Sequence, residues 1–287
     1  MISFRPLIGA MIFLFTASLA QAQIITIATN TQGSAFYSVG AALAGVMQKT
    51  ANLTTRIQPM SGPGVYVPLI NRGEIDFGLM NALDVNNAVK GLENYKGRTN
   101  SDLRLVAVLY WSANGMGIAN DSPAKSTKDL KGLRMATQFA AQATYLILQD
   151  AVLATGGLSH NDMKSFPVSD STQGAEALGS EKVDTVMVGL GQVALREVNV
   201  SLAARGGLRI LPIDDSPEGL AAMRKVIPAA MSRVFQPGPG YPGLVGPTAL
   251  MVLPTFLFAS KHVSDDVVYK TTKALNQNHV QFLRPRL

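Results

Sequence analysis

The sequence contains no cysteine, three histidines and one tryptophan, and only 15% of its 287 residues are charged. Without cysteine there is no disulfide framework, no thiolate zinc site, no iron–sulfur cluster and no thiol nucleophile. Imidazole chemistry is confined to His160, His262 and His279. The patterns H-E-x-x-H, G-x-S-x-G and G-x-x-x-x-G-K-[ST] are missing, so the common zinc-hydrolase, serine-hydrolase and P-loop signatures are missing with them. Glycine (26) and proline (15) are too few for a low-complexity or collagen-like chain. Beyond the N-terminus no apolar run approaches the roughly 20 residues of a membrane span. Thr248 to Ala259 is short and interrupted by Pro254.

What is present begins with an address. Met1 to Ala22 carries Arg5, then an apolar stretch from Leu7 to Leu19 of about 13 residues, too short to span a bilayer, and then Ala20-Gln21-Ala22. This is the layout of a secretory signal with cleavage after Ala22, and it places the mature chain in the periplasm. No cysteine follows to carry a lipid, and the mature chain is long enough to bury a core without staples.

After the signal, Ile24 to Thr29 is a β-branched run followed by a polar loop, Asn30 to Ser34. A helix comes next, with apolar Phe36, Val39, Leu43 and Val46/Met47 at helical spacing. The same strand–loop–helix order recurs at Leu133 to Thr137, Gln138 to Gln142, and a helix presenting Tyr145, Leu148 and Val152. An offset of 108 residues superimposes Ala28-Thr29 on Ala136-Thr137, Tyr37 on Tyr145, and Ile75-Asp76 on Val183-Asp184. Repetition in one register predicts two lobes built on one plan, each a mainly parallel α/β sheet with its ligand edge at the carboxyl ends of the strands. Leu105 to Tyr110 and Ala249 to Leu253 are apolar extended stretches expected to cross between lobes. The expected division is 1–22 signal peptide, 23–112 first lobe, 113–248 second lobe and 249–287 return to the first. The Pro/Gly-rich segment Gln236 to Pro247 fits a loop at the cleft mouth, a hinge, or a plain surface connection.

The formal charge of +6 suggests a polyanionic partner until it is located. Basic and acidic residues number 7 and 5 in 23–112, 12 and 12 in 113–248, and 5 and 2 in 249–287. The excess is diffuse, the longest basic run is Arg224-Lys225, and no stacking aromatics accompany it, so nucleic-acid binding is not supported. The three histidines fit solvated surface positions. The acid pairs Asp214-Asp215 and Asp265-Asp266 sit where helix caps and first-turn acids belong. The informative loops are Thr31 to Ser34 and Ser61 to Gly64, each preceding a helix whose free N–H groups favour an anion by about 0.3–1 kcal/mol. Simple N-capping is the alternative for each.

Taken in order, these residues resemble the TAXI-type solute receptors of tripartite ATP-independent periplasmic (TRAP) transporters. The opening pattern is matched by Ile27-Ala28-Thr29, Gly33, Tyr37 and Gly40, with departures at Asn30, Ser34 and Phe36. Gly62, the run Gly73-Glu74-Ile75-Asp76-Phe77-Gly78 and Asn81 follow a second pattern, with Asn81 in place of Gln. Lys128 to Arg134, Arg209 to Asp214, Tyr241-Pro242-Gly243 and Asp266 to Leu275 continue the likeness. The second-lobe loop, usually glycine-rich in that family, is here Gln138 to Thr144 and keeps only the final Thr. The resemblance implies a type II-like periplasmic-binding-protein fold, mixed and mainly parallel α/β sheets with a cleft between two lobes. It also implies a monomeric receptor, not an enzyme, without metal or cofactor, that passes a small carboxylate or amino acid such as glutamate or glutamine to TRAP permease subunits. An ABC importer or a sensor is the alternative partner, and an enzyme on the same architecture the alternative class. In the implied site Thr31, Gln32, Gly33 and Ser34 donate to the anionic end, Tyr37 packs the wall, and Ser61 and Asn81 add side-chain hydrogen bonds. Gln138, Gln142, Thr144 and Gln192 close it from the second lobe.

Overall fold

The computed structural model describes residues 24–278. The signal segment Met1–Ala22 and His279 lie outside them. The fold is a two-lobed α/β architecture. In the first lobe β1 (Ile25–Thr29), β2 (Thr55–Pro59) and β3 (Phe77–Asn81) run parallel, linked by α1 (Ala35–Ala51) and α2 (Pro63–Asn71), with α3 (Ala82–Lys90) following β3. In the second lobe β5 (Arg134–Gln138), β6 (Lys164–Val168) and β7 (Thr185–Gly189) repeat the arrangement with α4 (Ala143–Ala154), α5 (Ser171–Gly179) and α6 (Ala194–Ser201). Between the halves lies β4 (Leu103–Ala119); β8 (Leu208–Leu211), α7 (Pro217–Val226), β9 (Met231–Phe235), β10 (Thr248–Ser260) and α8 (Asp265–Gln277) complete the chain.

The repeat extends to single hydrogen bonds. Adding 108 to Phe77–Asn81 gives Thr185–Gly189, and to Pro63–Asn71 gives Ser171–Gly179. Asp76 Oδ2 accepts from the amide of Thr26 at 2.8 Å, and Asp184 Oδ2 from the amide of Arg134 at 2.9 Å, the same bond in both halves. Each aspartate ties the start of one parallel strand to the start of its neighbour, which explains why Ile75-Asp76 and Val183-Asp184 recur.

β4 and β10 are longer than the sequence suggests, at 17 and 13 residues. They pair antiparallel from Leu103↔Ser260 to Asn114↔Met251, with irregularities after Thr255 and Leu257. The first part of β4 shares a lobe with β3, which pairs Thr255–Ala259 of β10. Its last part pairs β7 and β8 in the other lobe, while the start of β10 pairs β9. This double strand is continuous across the two halves.

Alternation along each strand splits the core into layers. Ile25, Ile27, Phe77 and Leu79 face α1 and α8, where Leu43, Met47 and Val267 are buried; Ala28 and Met80 face Tyr66 and Ile70 of α2. The second lobe does likewise, with Met135 and Met187 on one face, and Ala136, Val186 and Val188 on the other. Among the described residues no helix is long and apolar enough to cross a membrane. The acid pairs take structural places: Asp214 Oδ1 accepts from the Ser216 amide at 3.0 Å before α7, and Asp265 and Asp266 occupy the first turn of α8 behind the Ser264 cap. The Gln236–Pro247 segment links β9 to β10 and buries Leu244.

Candidate functional site

A cavity of about 60 Å³ lies between the lobes at the carboxyl ends of the parallel strands. Ser34, Ala35 and Phe36 at the start of α1, and Asn81 and Asp84 at the start of α3, line it from the first lobe. Gln142, Thr144, Tyr145 and Gln192 line it from the second, and Tyr110 and Asn114 of β4 from the connecting ribbon. At roughly 10–15 Å³ per ordered water, the space holds about four to six water-sized groups, so its occupant is compact.

The polar side chains here are fixed by their neighbours. Ser34 caps α1, its Oγ accepting from the Tyr37 amide at 3.1 Å. The amides of Ala35 and Phe36, first in the helix, have no acceptor within it, and both residues line the cavity. Asn81 caps α3, Oδ1 accepting from Leu83 and Asp84 amides at 2.9 Å each. Gln142 donates from Nε2 to the Ser61 carbonyl at 2.7 Å and accepts at Oε1 from the Ser171 amide at 3.1 Å, so its amide joins the lobes. Gln192 Nε2 donates to the Ser171 carbonyl at 3.2 Å. Thr144 donates its hydroxyl hydrogen to Asp84 Oδ1, again between lobes. Tyr145 donates to the Met187 carbonyl at 2.9 Å. Burial raises the Tyr110 and Tyr145 hydroxyls well above the usual phenol range.

Of the sequence-predicted residues, Ser34, Asn81, Gln142, Thr144 and Gln192 meet in this lining. The others stand around it. The hydroxyls of Thr31 and Thr172 bond across the lobes at 2.9 Å, and the Gly33 carbonyl accepts from the Ala194 amide at 3.2 Å. Ser61 contributes its carbonyl to Gln142. Gln32 and Gln138 are exposed. Tyr37 is half-buried outside the lining, and its neighbour Phe36, one position earlier in the helix, supplies the aromatic wall.

The second-lobe loop makes its turn without glycine. Gln138 and Phe139 adopt φ of 68° and 47°, the left-handed region that costs about 1–2 kcal/mol per side-chain-bearing residue. Phe139 is held there by complete burial and by ring contact with Tyr145 at 4.8 Å between centroids. The Ala140 and Ala141 amides anchor to Val168 and Ser169 carbonyls.

Sequence reasoning passed over Asp84. It is 2% exposed, and desolvation by burial raises its carboxyl to about 6, against the lowering effect of the Thr144 and Asn81 hydrogen bonds. The visible signal was Asn81-x-x-Asp84, a capping-box spacing that both residues satisfy. Position 84 plus 108 is Gln192, which also lines the cavity, but it lies two residues before α6, whereas Asp84 is in the first turn of α3. His160, expected to be solvated, is half-buried and pairs through Nδ1 with Asp150 at 2.6 Å; His262 is exposed beside Gly73. No group of three or more His, Asp or Glu among the described residues gathers at metal-binding distance. A second, more apolar cavity of about 220 Å³ adjoins the first across Tyr110 and Leu190, with Trp111, Phe235 and Tyr241 in its wall.

A model of the NMT1-like family matches residues 27–284. Among solved structures, one described as a periplasmic transporter aligns with a TM-score of 0.60 at 13% identity, covering 90% of this chain and 83% of that one. An ancestral arginine-binding protein bound to arginine aligns at 0.54 and 15% identity, over 90% and 92%. An amino acid ABC transporter substrate-binding protein from Streptococcus pneumoniae, bound to L-arginine, aligns at 0.54 and 12%, over 90% of each chain. At such identities the likeness is one of fold.

Proposed function

Since the chain belongs to the NMT1-like family and encloses a compact polar cavity between two lobes, we propose that it is an extracytoplasmic solute-binding protein. It captures a small carboxylate-bearing solute, an amino acid or an organic acid, and presents it to a membrane transporter. The observation that carries this reading is the ring of inter-lobe hydrogen bonds around the cavity: Thr31 to Thr172, Gly33 to Ala194, Ser61 to Gln142 and Asp84 to Thr144. A solute touching both lobes binds only the closed form, and that differential affinity is what shifts an open–closed equilibrium. The α1 N-terminus, with its unused Ala35 and Phe36 amides, suits the carboxylate.

We assign 23–112 and 249–287 to one lobe and 113–248 to the other. Bending then falls on β4 near Ala113 and on β10 between Val252, the last partner of β9, and Thr255, the first partner of β3. The leader, cleaved after Ala22, delivers the chain to the periplasm as a monomer. An ABC importer is the partner that the fold comparisons favour, since receptors of that class share the architecture. The TRAP reading rests on the short motifs that run from Ile27 to Leu275. Reconstitution with the neighbouring permease separates the two: ATP-driven uptake marks the first, ion-gradient-driven uptake the second. Catalysis is not part of the reading, because the cavity wall holds one acid and no histidine, lysine or second acid to work with it.

Thermal-shift screening of mature protein against small acids and amino acids tests the proposal, with small-angle scattering to follow closure. Stabilisation by a solute, recovered chemically unchanged, is the expected result. No stabilisation by any, or turnover of the one that binds, defeats it.

A further inference from the structure

Asp84 is the one charged side chain in the cavity wall, where no Lys, Arg or His is present to balance it. None of the ion pairs among the described residues involves it. Its carboxylate accepts the Thr144 hydroxyl at one oxygen and a long 3.4 Å bond from the Asn81 amide at the other. A carboxylate has about four lone-pair sites, so about half remain unfilled. Buried carboxylates are normally paired with a cation or neutralised, because removing the charge from water is costly. Neutralisation is incomplete: with the group raised only to about 6, the anion predominates at pH 7.

We propose that the solute of this cavity carries a protonated amine that pairs with the Asp84 carboxylate, so that the physiological ligand is a compact amino acid and not an amine-free acid. This rests on the solute-binding reading and narrows it. The Ala35 and Phe36 amides at the start of α1 take the carboxylate end, the Asp84 oxygens take the ammonium, and Thr144 brings the second lobe onto that same carboxylate. An amine-free acid sets a second negative charge, or an uncharged group, against Asp84 and leaves it unbalanced.

The test uses mature protein and matched solutes differing at the amine: L-alanine against L-lactate, L-serine against D-glycerate, L-glutamate against 2-hydroxyglutarate, by isothermal titration at pH 7.5. At least one amine-bearing member is expected to bind at least about tenfold more tightly than its partner. Asp84→Asn, checked for folding by circular dichroism, is expected to erase that preference. Equal or tighter binding of the amine-free member, or an unchanged preference in Asp84→Asn, overturns the inference while leaving a solute-binding protein. Failure of every solute to bind overturns both. The comparison of paired solutes on the unaltered chain stands whether or not the variant folds.

Discussion

At the scale of single residues the unliganded protein has a distinctive titration. The Asp84 carboxyl, raised from about 3.8 to about 6, favours the folded state when protonated. That contribution is complete below its unfolded value near 4 and is lost as pH rises through about 6. Tyr66 and Tyr95, the other titratable groups near it, are raised by burial and stay neutral throughout. Asp102, Asp129, Asp162, Asp184 and Asp214 are lowered by hydrogen bonds and lysine or arginine neighbours, and destabilise on acidification, so the total profile is composite. The difference between wild type and Asp84→Asn isolates the single group. Urea unfolding without solute should find the variant more stable by up to roughly 3 kcal/mol at pH 8, with the gap closing towards pH 4. Parallel curves across that range would show that the carboxylate is not desolvated as described.

At the scale of elements, closure depends on how closely the N-terminus of α2 approaches the β5–α4 loop. Gly62 caps α2 in extended backbone, and a Cβ there would stand 2.5 Å from Gln142 Cγ and 2.6 Å from the Ala141 carbonyl oxygen. Both clashes are with the opposite lobe, so Gly62→Val should wedge the cleft while sparing each lobe's own core. Solute affinity is expected to fall at least about tenfold, with scattering profiles that stay expanded at saturating solute and a melting temperature near wild type in its absence. A closed profile with retained affinity would sink this.

How much of this was legible follows from what each element depends on. Ile25 to Thr29, the α1 stripe and the 108-residue echo are local patterns, and β1, α1 and β3 appear where those patterns place them. Leu105 to Tyr110 foretold only part of β4. Its continuation, Ser112 to Ala119, consists largely of Ala, Asn and Gly, with little strand preference, and is extended because β10, β7 and β8 pair with it. For the cavity, strand ends and helix starts were readable, but side-chain direction was not. Phe36 and Tyr37 differ by one helical step of about 100°, and only the packed helix decides which one faces inward. Asp84 was concealed by its capping role, since a capping acid is ordinary until the opposite lobe buries it.

At the scale of the whole molecule, a chain free of cysteine permits a clean lock. Thr31 and Thr172 stand on opposite lobes with hydroxyls 2.9 Å apart, outside the cavity. In Thr31→Cys/Thr172→Cys, oxidation should hold the compact scattering profile without solute and slow the release of bound solute by at least about tenfold, with reduction restoring both. An oxidised form that opens and exchanges solute as freely as the reduced one would show that these residues do not mark the closing edge.

The 108-residue translation also has a consequence for orientation. A cage assembled from two like halves has an approximate interchange symmetry, and a small polar guest would enter it facing either way with nearly equal ease. The lining removes that degeneracy: Asp84 is its one charged side chain, and Ser34 and Phe36 answer to Gln142 and Thr144 at the same offset. The guest therefore has one polarity within the cage, and Asp84→Gln, which removes the one charge in the wall, would leave a receptor that still closes but distinguishes head from tail less sharply.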